Sequence, residues 1–180
     1  EYSMELTTDF AGMSRSATNA EATVSSTTSA HTSYALSKIF DQDKGTGGDN
    51  RWLPFQSALP NVNLTFTFTH PFRVTSYKIK GQDNTSNKRG PKAWLLYGSN
   101  DNTNWTVVDD MNASSSDHQT GWTSNQERTF SSVDAAGDYK YYKFQFTQAE
   151  AADSYMGFRE IDLIGVCLLY TSDAADEEDS

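Results

Sequence analysis

Arg89-Gly90-Pro91-Lys92-Ala93-Trp94-Leu95-Leu96-Tyr97-Gly98-Ser99-Asn100-Asp101-Asn102-Thr103-Asn104-Trp105 is the stretch that decides the fold class of this 180-residue chain. Pro91 stands where a β-sheet tolerates proline, at the start or edge of a strand. Ala93 to Tyr97 is then a short apolar, aromatic-rich strand. Gly98 to Asn102 is a dense cluster of turn formers. Trp105-Thr106-Val107-Val108 starts a second run, closed by Asp109 and Asp110. The stretch reads as a hairpin of a β-sandwich, with a large aromatic packed on the far side of its turn.

Outward from the hairpin, period-two alternation recurs. Leu64, Phe66 and Phe68 alternate with Thr65, Thr67 and Thr69, and Tyr77 and Ile79 alternate with Lys78 and Lys80. Tyr142, Phe144 and Phe146 alternate with Tyr141, Lys143, Gln145 and Thr147, and Ile161 and Leu163 share a face of the closing segment 158–166. Shorter strands are expected at 21–26, at Trp52-Leu53-Pro54 and at 128–130, with a helical turn or two over 35–40 and a loop over 41–50. Eight or so short strands without a long helix predict an all-β fold, an antiparallel β-sandwich of jelly-roll type. One domain is expected over residues 21–166, after a lead-in strand or linker over 1–20.

Composition narrows the function classes. Aromatic residues make up 13% of the chain, so the core is expected to rest on Phe, Tyr and Trp rather than Leu. A net charge of −10 argues against nucleic acid and anionic membranes as partners, because phosphate contacts need a basic face. No stretch approaches the length of a membrane-spanning helix. The chain opens at Glu1 without a charged-then-apolar leader, so a mature product or a piece of a longer protein is expected. Residues 167–176 look like a translated piece of a sequencing-library adapter, whose codons TGT-CTC-TTA-TAC-ACA-TCT-GAC-GCT-GCC-GAC give that peptide residue for residue. Residues 167–180 are therefore expected to be a non-native tail, which carries the single cysteine, Cys167, and five acids. Without it the charge is about −5 and neither a disulfide nor thiol chemistry is expected. His31, His70 and His118 stand apart without metal-ligand spacing and read as surface residues. There is no nucleophile elbow, P-loop or dinucleotide fingerprint, so enzymatic activity is not expected.

Six segments together resemble a known family. They are 38–43 with Trp52, 77–79, 89–94, 98–101 with Trp105, 141–146 and 160–165, in the family's order. The chain is similar to the discoidin (coagulation factor V/VIII type C) superfamily, in the style of bacterial or phage family-32-type carbohydrate-binding modules. The resemblance covers roughly residues 20–166. It places Trp94 and Trp105 in a structural hairpin, and so in the core with Trp52, and leaves Trp122 open between core and surface. It implies a calcium ion held by the Lys38 carbonyl, Asp41, Thr46 and Glu160. Asp43 lies in the same loop, the Arg159 carbonyl is an extra candidate, and Asn50 competes with Thr46. Calcium takes six to eight oxygens, several from main-chain carbonyls, and this glycine-rich loop can present them.

The resemblance also implies a sugar site on loops at one end of the sandwich. The residues there are Arg51 and Phe55, then Asp83, Asn84, Asn87 and Arg89, then Tyr155. An aromatic face stacks on a pyranose while planar polar groups meet its hydroxyls. Arg89 and Asn84, with Tyr155 as platform, are the preferred trio. The expected function is a non-catalytic carbohydrate-binding module, extracellular or on a virion surface, tethering a larger parent protein to glycans. A secreted bacterial enzyme or a phage tail protein would be a natural parent. The alternative is a protein-interaction or assembly module of a tail fibre or cell-surface protein with no sugar site. Lipid binding is disfavoured by polar loops and negative charge.

Overall fold

The computed structural model describes residues 5–9, 22–39, 50–82, 88–123, 125–131 and 137–168. Eight strands follow in order: β1 (Glu5–Asp9), β2 (Ala22–Ser25), β3 (Val62–Gly81), β4 (Pro91–Ser99), β5 (Thr106–Asp110), β6 (Glu127–Phe130), β7 (Asp138–Ala149) and β8 (Phe158–Leu168). Two short 3-10 helices, Leu36–Ile39 and Gln56–Ala58, complete the described elements. All pairings between strands are antiparallel.

The sandwich is folded around β3. Its first half pairs with β2 and β7, and β7 continues to β4 and β5. Its second half pairs with β8 and β6, and β8 continues to β1. The alternation over 64–68 and 77–80 thus belongs to one 20-residue strand where the sequence suggests two. The interruption is a bend: Thr69, His70 and Pro71 are exposed, and the register with β7 shifts between Thr67 and Phe72. Pro71 costs no ladder bond at such a bulge. The Tyr142 hydroxyl closes the bend from inside, donating to the Phe72 carbonyl at 2.7 Å and accepting from the Val74 N–H at 3.2 Å. Burial pushes the pKa of that phenol well above its ordinary value.

The core is aromatic, as composition predicts. Phe144 and Phe146 lie 5.7 Å apart, Phe146 meets Phe158 at 4.5 Å and Tyr77 meets Phe144 at 5.3 Å. Each such ring contributes about 1.5–3 kcal/mol on burial. The Trp94 indole is wholly buried and donates to the Tyr77 hydroxyl at 2.9 Å, which donates to Asp109 Oδ2 at 2.6 Å. Aromatic bulk therefore enters the core with its polar ends matched.

The hairpin of β4 and β5 is where the sequence places it, with Pro91 opening β4. Its turn uses every polar side chain of the Ser-Asn-Asp signature. Ser99 Oγ accepts from the Asn102 N–H at 3.0 Å, and Asp101 Oδ1 accepts from the Thr103 and Asn104 N–H groups at 2.8 and 2.7 Å. Asn100 bridges to β7, donating to the Asp138 carbonyl and accepting from the Lys140 N–H, both at 2.9 Å. Asn102 sits at φ 58°, the left-handed region that asparagine tolerates. Trp105 departs from expectation. It is only partly buried, on the outer face, with the Lys143 ammonium 4.0 Å above its ring. A register shift between Leu96 and Tyr97 re-aims the hairpin just where Trp105 enters it.

β1 lies inside the lead-in segment expected over 1–20, and β8 reaches Leu168, pairing there with Glu5, two residues into the stretch read as adapter. The 3-10 helix falls within the helical turn expected over 35–40, with Phe40 outside the described residues. Trp52-Leu53-Pro54 makes isolated bridges, Trp52 to Phe158 and Pro54 to Ala30, rather than a strand.

Candidate functional site

Four segments far apart in sequence meet at one end of the sandwich. Phe55 donates its N–H to the Ser29 carbonyl at 3.0 Å, and His31 donates its own to Leu53 at 2.9 Å. On the other side Gln56 N–H reaches the Ser154 carbonyl at 3.0 Å and Met156 N–H reaches Pro54 at 2.9 Å. Gly157 N–H and Glu150 N–H bond the carbonyls of Arg89 and Gly90, at 3.0 and 2.9 Å. The Gln56 amide locks the junction: Nε2 donates to the carbonyls of Ala151 and Tyr155, both at 3.0 Å, and Oε1 accepts from the Asp153 N–H at 3.1 Å. These loops are fixed by main-chain bonds, which suits a preformed ligand site.

Tyr155 is the hub of the side chains. Its ring lies 5.0 Å from Phe55 and 5.5 Å, edge-on, from His31, with the Arg89 guanidinium 5.5 Å from its centroid. Arg89 holds Asp153 through two bonds, Nε to Oδ2 at 3.1 Å and Nη2 to Oδ1 at 3.3 Å. Desolvation works to raise the Asp153 pKa, but the Arg89 bond and charge and the Ser154 and Tyr155 N–H groups outweigh it and hold the carboxyl below its ordinary value. His31 also meets Tyr34 at 4.9 Å. Arg51 lies over the Tyr34 ring at 4.3 Å and donates to its hydroxyl at 2.6 Å. Arg51 Nε is buried and has no hydrogen-bond partner among the described residues.

The expected residues Arg51, Phe55, Arg89 and Tyr155 are therefore brought to one end, all partly buried. Asp83, Asn84 and Asn87 lie outside the described residues, between Gln82 and Lys88. Three members escaped the sequence reading. His31 is no isolated surface residue but packs against two tyrosines, Tyr34 braces Arg51, and Asp153 orients Arg89. Apart from the His31–Tyr34 contact, their partners lie 17 to 124 positions away, beyond the reach of any local pattern.

Trp122 is partly buried and packs on glycine main chain. Its ring lies over Gly81 and Gly90 so closely that a Cβ at Gly90 would stand 2.3 Å from Cδ1. Its indole donates to the Pro91 carbonyl at 2.8 Å, and the Arg128 guanidinium lies 4.1 Å from the ring. It braces the loop that carries Arg89.

The expected calcium ligands lie at a second place. Lys38 belongs to the 3-10 helix that packs against β8, and Glu160 on β8 is 1% exposed. Asp41, Asp43 and Thr46 lie outside the described residues. The Asn50 carbonyl accepts from Arg159 Nη1 at 3.4 Å. Among the described residues no three His, Cys, Asp or Glu side chains come together. The buried Glu160 carboxylate and the main-chain carbonyls of the 3-10 helix packed against β8 are oxygen donors of the hard kind that calcium accepts.

Comparison with known proteins follows the same lines. A model of the F5/8 type C domain matches residues 21–161. No curated protein matched the chain in sequence. Among solved structures, CBM32-1 from a family 31 glycoside hydrolase of Clostridium perfringens is similar at a TM-score of 0.63 and 14% identity, covering 79% of this chain and 93% of that one. The family 32 module of Clostridium perfringens NanJ, solved with galactose, reaches 0.57 at 16% identity, with coverage of 79% and 93%. CpGH89CBM32-5 of Clostridium perfringens, solved with GalNAc-β-1,3-galactose, reaches 0.57 at 10% identity, with coverage of 79% and 94%. At these identities the likeness shows the fold.

Proposed function

This chain belongs to the F5/8 type C domain family, and from that membership we propose that it is a non-catalytic carbohydrate-binding module whose site is the loop end around Tyr155. The observation that supports the reading is the convergence of Phe55, Tyr155, His31 and Arg89 from four separate segments. A pyranose has an apolar face and an equatorial rim of hydroxyls. Tyr155 with Phe55 offers the stacking surface, while Arg89 and His31 flank it with groups that donate to hydroxyl oxygens. Asp153 fixes the Arg89 guanidinium, so little side-chain freedom is lost on binding. The neighbours solved with galactose and GalNAc-β-1,3-galactose make galactose-type sugars the first to try. Asn84, with Asp83 and Asn87, would complete the polar rim.

In the same reading Glu160, the Lys38 carbonyl, Asp41, Asp43 and Thr46 hold a structural calcium ion that pins the loop before Trp52. An ion at a hundred times its Kd would stabilise the fold by about 2.7 kcal/mol. Melting with calcium and with a chelator reads this directly; superimposable curves would remove the ion. The module would act outside the cell or on a virion surface, tethering the other domains of a larger protein to glycans.

The test is a broad glycan array probed with the full chain in calcium buffer, repeated with Tyr155→Ala and His31→Ala. A coherent set of bound glycans, lost in both variants, supports the proposal. A blank array with a folded protein overturns it in favour of a protein-assembly module.

A further inference from the structure

The outward face of the first sheet carries features that the loop end does not account for. Val62, Leu64 and Phe66 point into the core, so Asn61, Asn63, Thr65 and Thr67 point outward in a row. At about 3.3 Å per residue that row runs about 20 Å, the length of several sugar rings rather than one. Two depressions lie along it. One, of 490 Å³, reaches Phe55 of the loop end, and the other, of 360 Å³, reaches Trp105 and Lys143. Both are walled by Thr27 and Asn63, so they are immediate neighbours along the row.

The row is held in place. Thr28 Oγ1 accepts from the Asn63 N–H at 2.8 Å, and Gln145 Nε2 donates to Asn61 Oδ1 at 2.8 Å. The Tyr97 hydroxyl in turn donates to Gln145 Oε1 at 3.2 Å. At the far end the Lys143 ammonium lies between two rings, 4.0 Å from Trp105 and 5.1 Å from Tyr97. Burial lowers the pKa of that lysine. In a chain of net charge −10, neither depression has an acidic residue among its described lining residues. An aromatic ring at each end and amides and hydroxyls between them match the alternating apolar faces and hydroxyl edges of a sugar chain.

We propose that this sheet face is a second subsite, continuous with the loop end, and that the domain binds a linear oligosaccharide running from Phe55 to Trp105. The inference rests on the loop end being a sugar site, and extends its ligand from a terminal sugar to a chain.

The experiment follows the indole N–H signals of the isotope-labelled full chain, with Trp105 assigned through Trp105→Phe. The probes are hexasaccharides of β-1,4-galactan, chitosan and alginate, covering neutral, cationic and anionic chains, each beside its monosaccharide. One hexasaccharide should shift the Trp105 signal and bind about tenfold tighter than its monosaccharide, a gain near 1.4 kcal/mol. Trp105→Ala and Lys143→Ala, each checked for an unchanged fold by melting, should bring the hexasaccharide down to monosaccharide affinity. If a monosaccharide binds while its hexasaccharide is no tighter and Trp105 stays silent, the second subsite is overturned and the loop-end site stands. If a hexasaccharide shifts Trp105 but binds Tyr155→Ala undiminished, the loop-end site is overturned and the sheet face alone is retained. If no probe shifts Trp105 and calorimetry detects no binding of any of them, both fall.

Discussion

The β4–β5 turn and the loop end are both rich in polar side chains, and they use them in opposite ways. At the turn, Ser99, Asn100 and Asp101 bond mainly to nearby main chain, most within five residues. The Asp101 carboxyl is held well below the usual range by N–H and side-chain donation from Asn104, with Thr103 and Ser99 adding to it. At the loop end the main chain satisfies itself, and the side chains of His31, Arg51, Arg89 and Tyr155 meet other side chains across long sequence distances. The turn is a closed circuit that shapes backbone, whereas the loop end presents rings and cations set by their neighbours. The Ser99-Asn100-Asp101 turn therefore marks the scaffold, and the proposed loop-end contacts lie away from it.

That contrast can be broken experimentally, most forcefully at the base of the hairpin. Trp94→Ala should cost about 3–5 kcal/mol, since it empties a wholly buried site. Denaturant melting reads this, and a smaller loss would mean that the core re-collapses. Arg89→Ala should abolish glycan binding and also cost about 1–3 kcal/mol, because Asp153 loses its partner at a site where both side chains are less than one-fifth exposed. Unchanged stability would show that the clamp serves only the ligand. Tyr77→Phe removes the donor to buried Asp109 and should cost about 1–2 kcal/mol while leaving glycan affinity intact. Asp101→Ala should lower Tm modestly without touching affinity, and any loss of binding would erase the division between turn and site.

The smallest effect is that of acid. Asp153 has a folded pKa below its ordinary 3.8, so its contribution is fully present above that value and is lost as pH falls through the folded pKa. The Asp153 contribution to glycan binding should therefore hold down to about pH 4 and be lost below it, in a titration by calorimetry. In Asp153→Asn that acid limb should vanish.

Much of the scaffold could be read in the chain because alternation is a local signal. Leu64, Phe66, Phe68, Tyr142, Phe144 and Phe146 point inward as their spacing predicts. The continuity of β3 could not be read, because Thr69-His70-Pro71 has the composition of a break and only pairing with β7 and β8 shows it to be a bend. Trp105 misled for a related reason: bulk suggests burial, and a register shift placed it on the outer face. At the loop end, Arg51, Phe55, Arg89 and Tyr155 came from family resemblance. His31, Tyr34 and Asp153 needed coordinates, since each matters through a partner that only the fold brings near.

The 20-residue β3 has one further consequence. Because it is a member of both layers, neither layer can open without breaking the strand on which the other is built. Unfolding should then be all-or-none, with amide protons of β7 and β8 exchanging through the same global opening. A domain built on such a strand fails as a single unit rather than one sheet at a time.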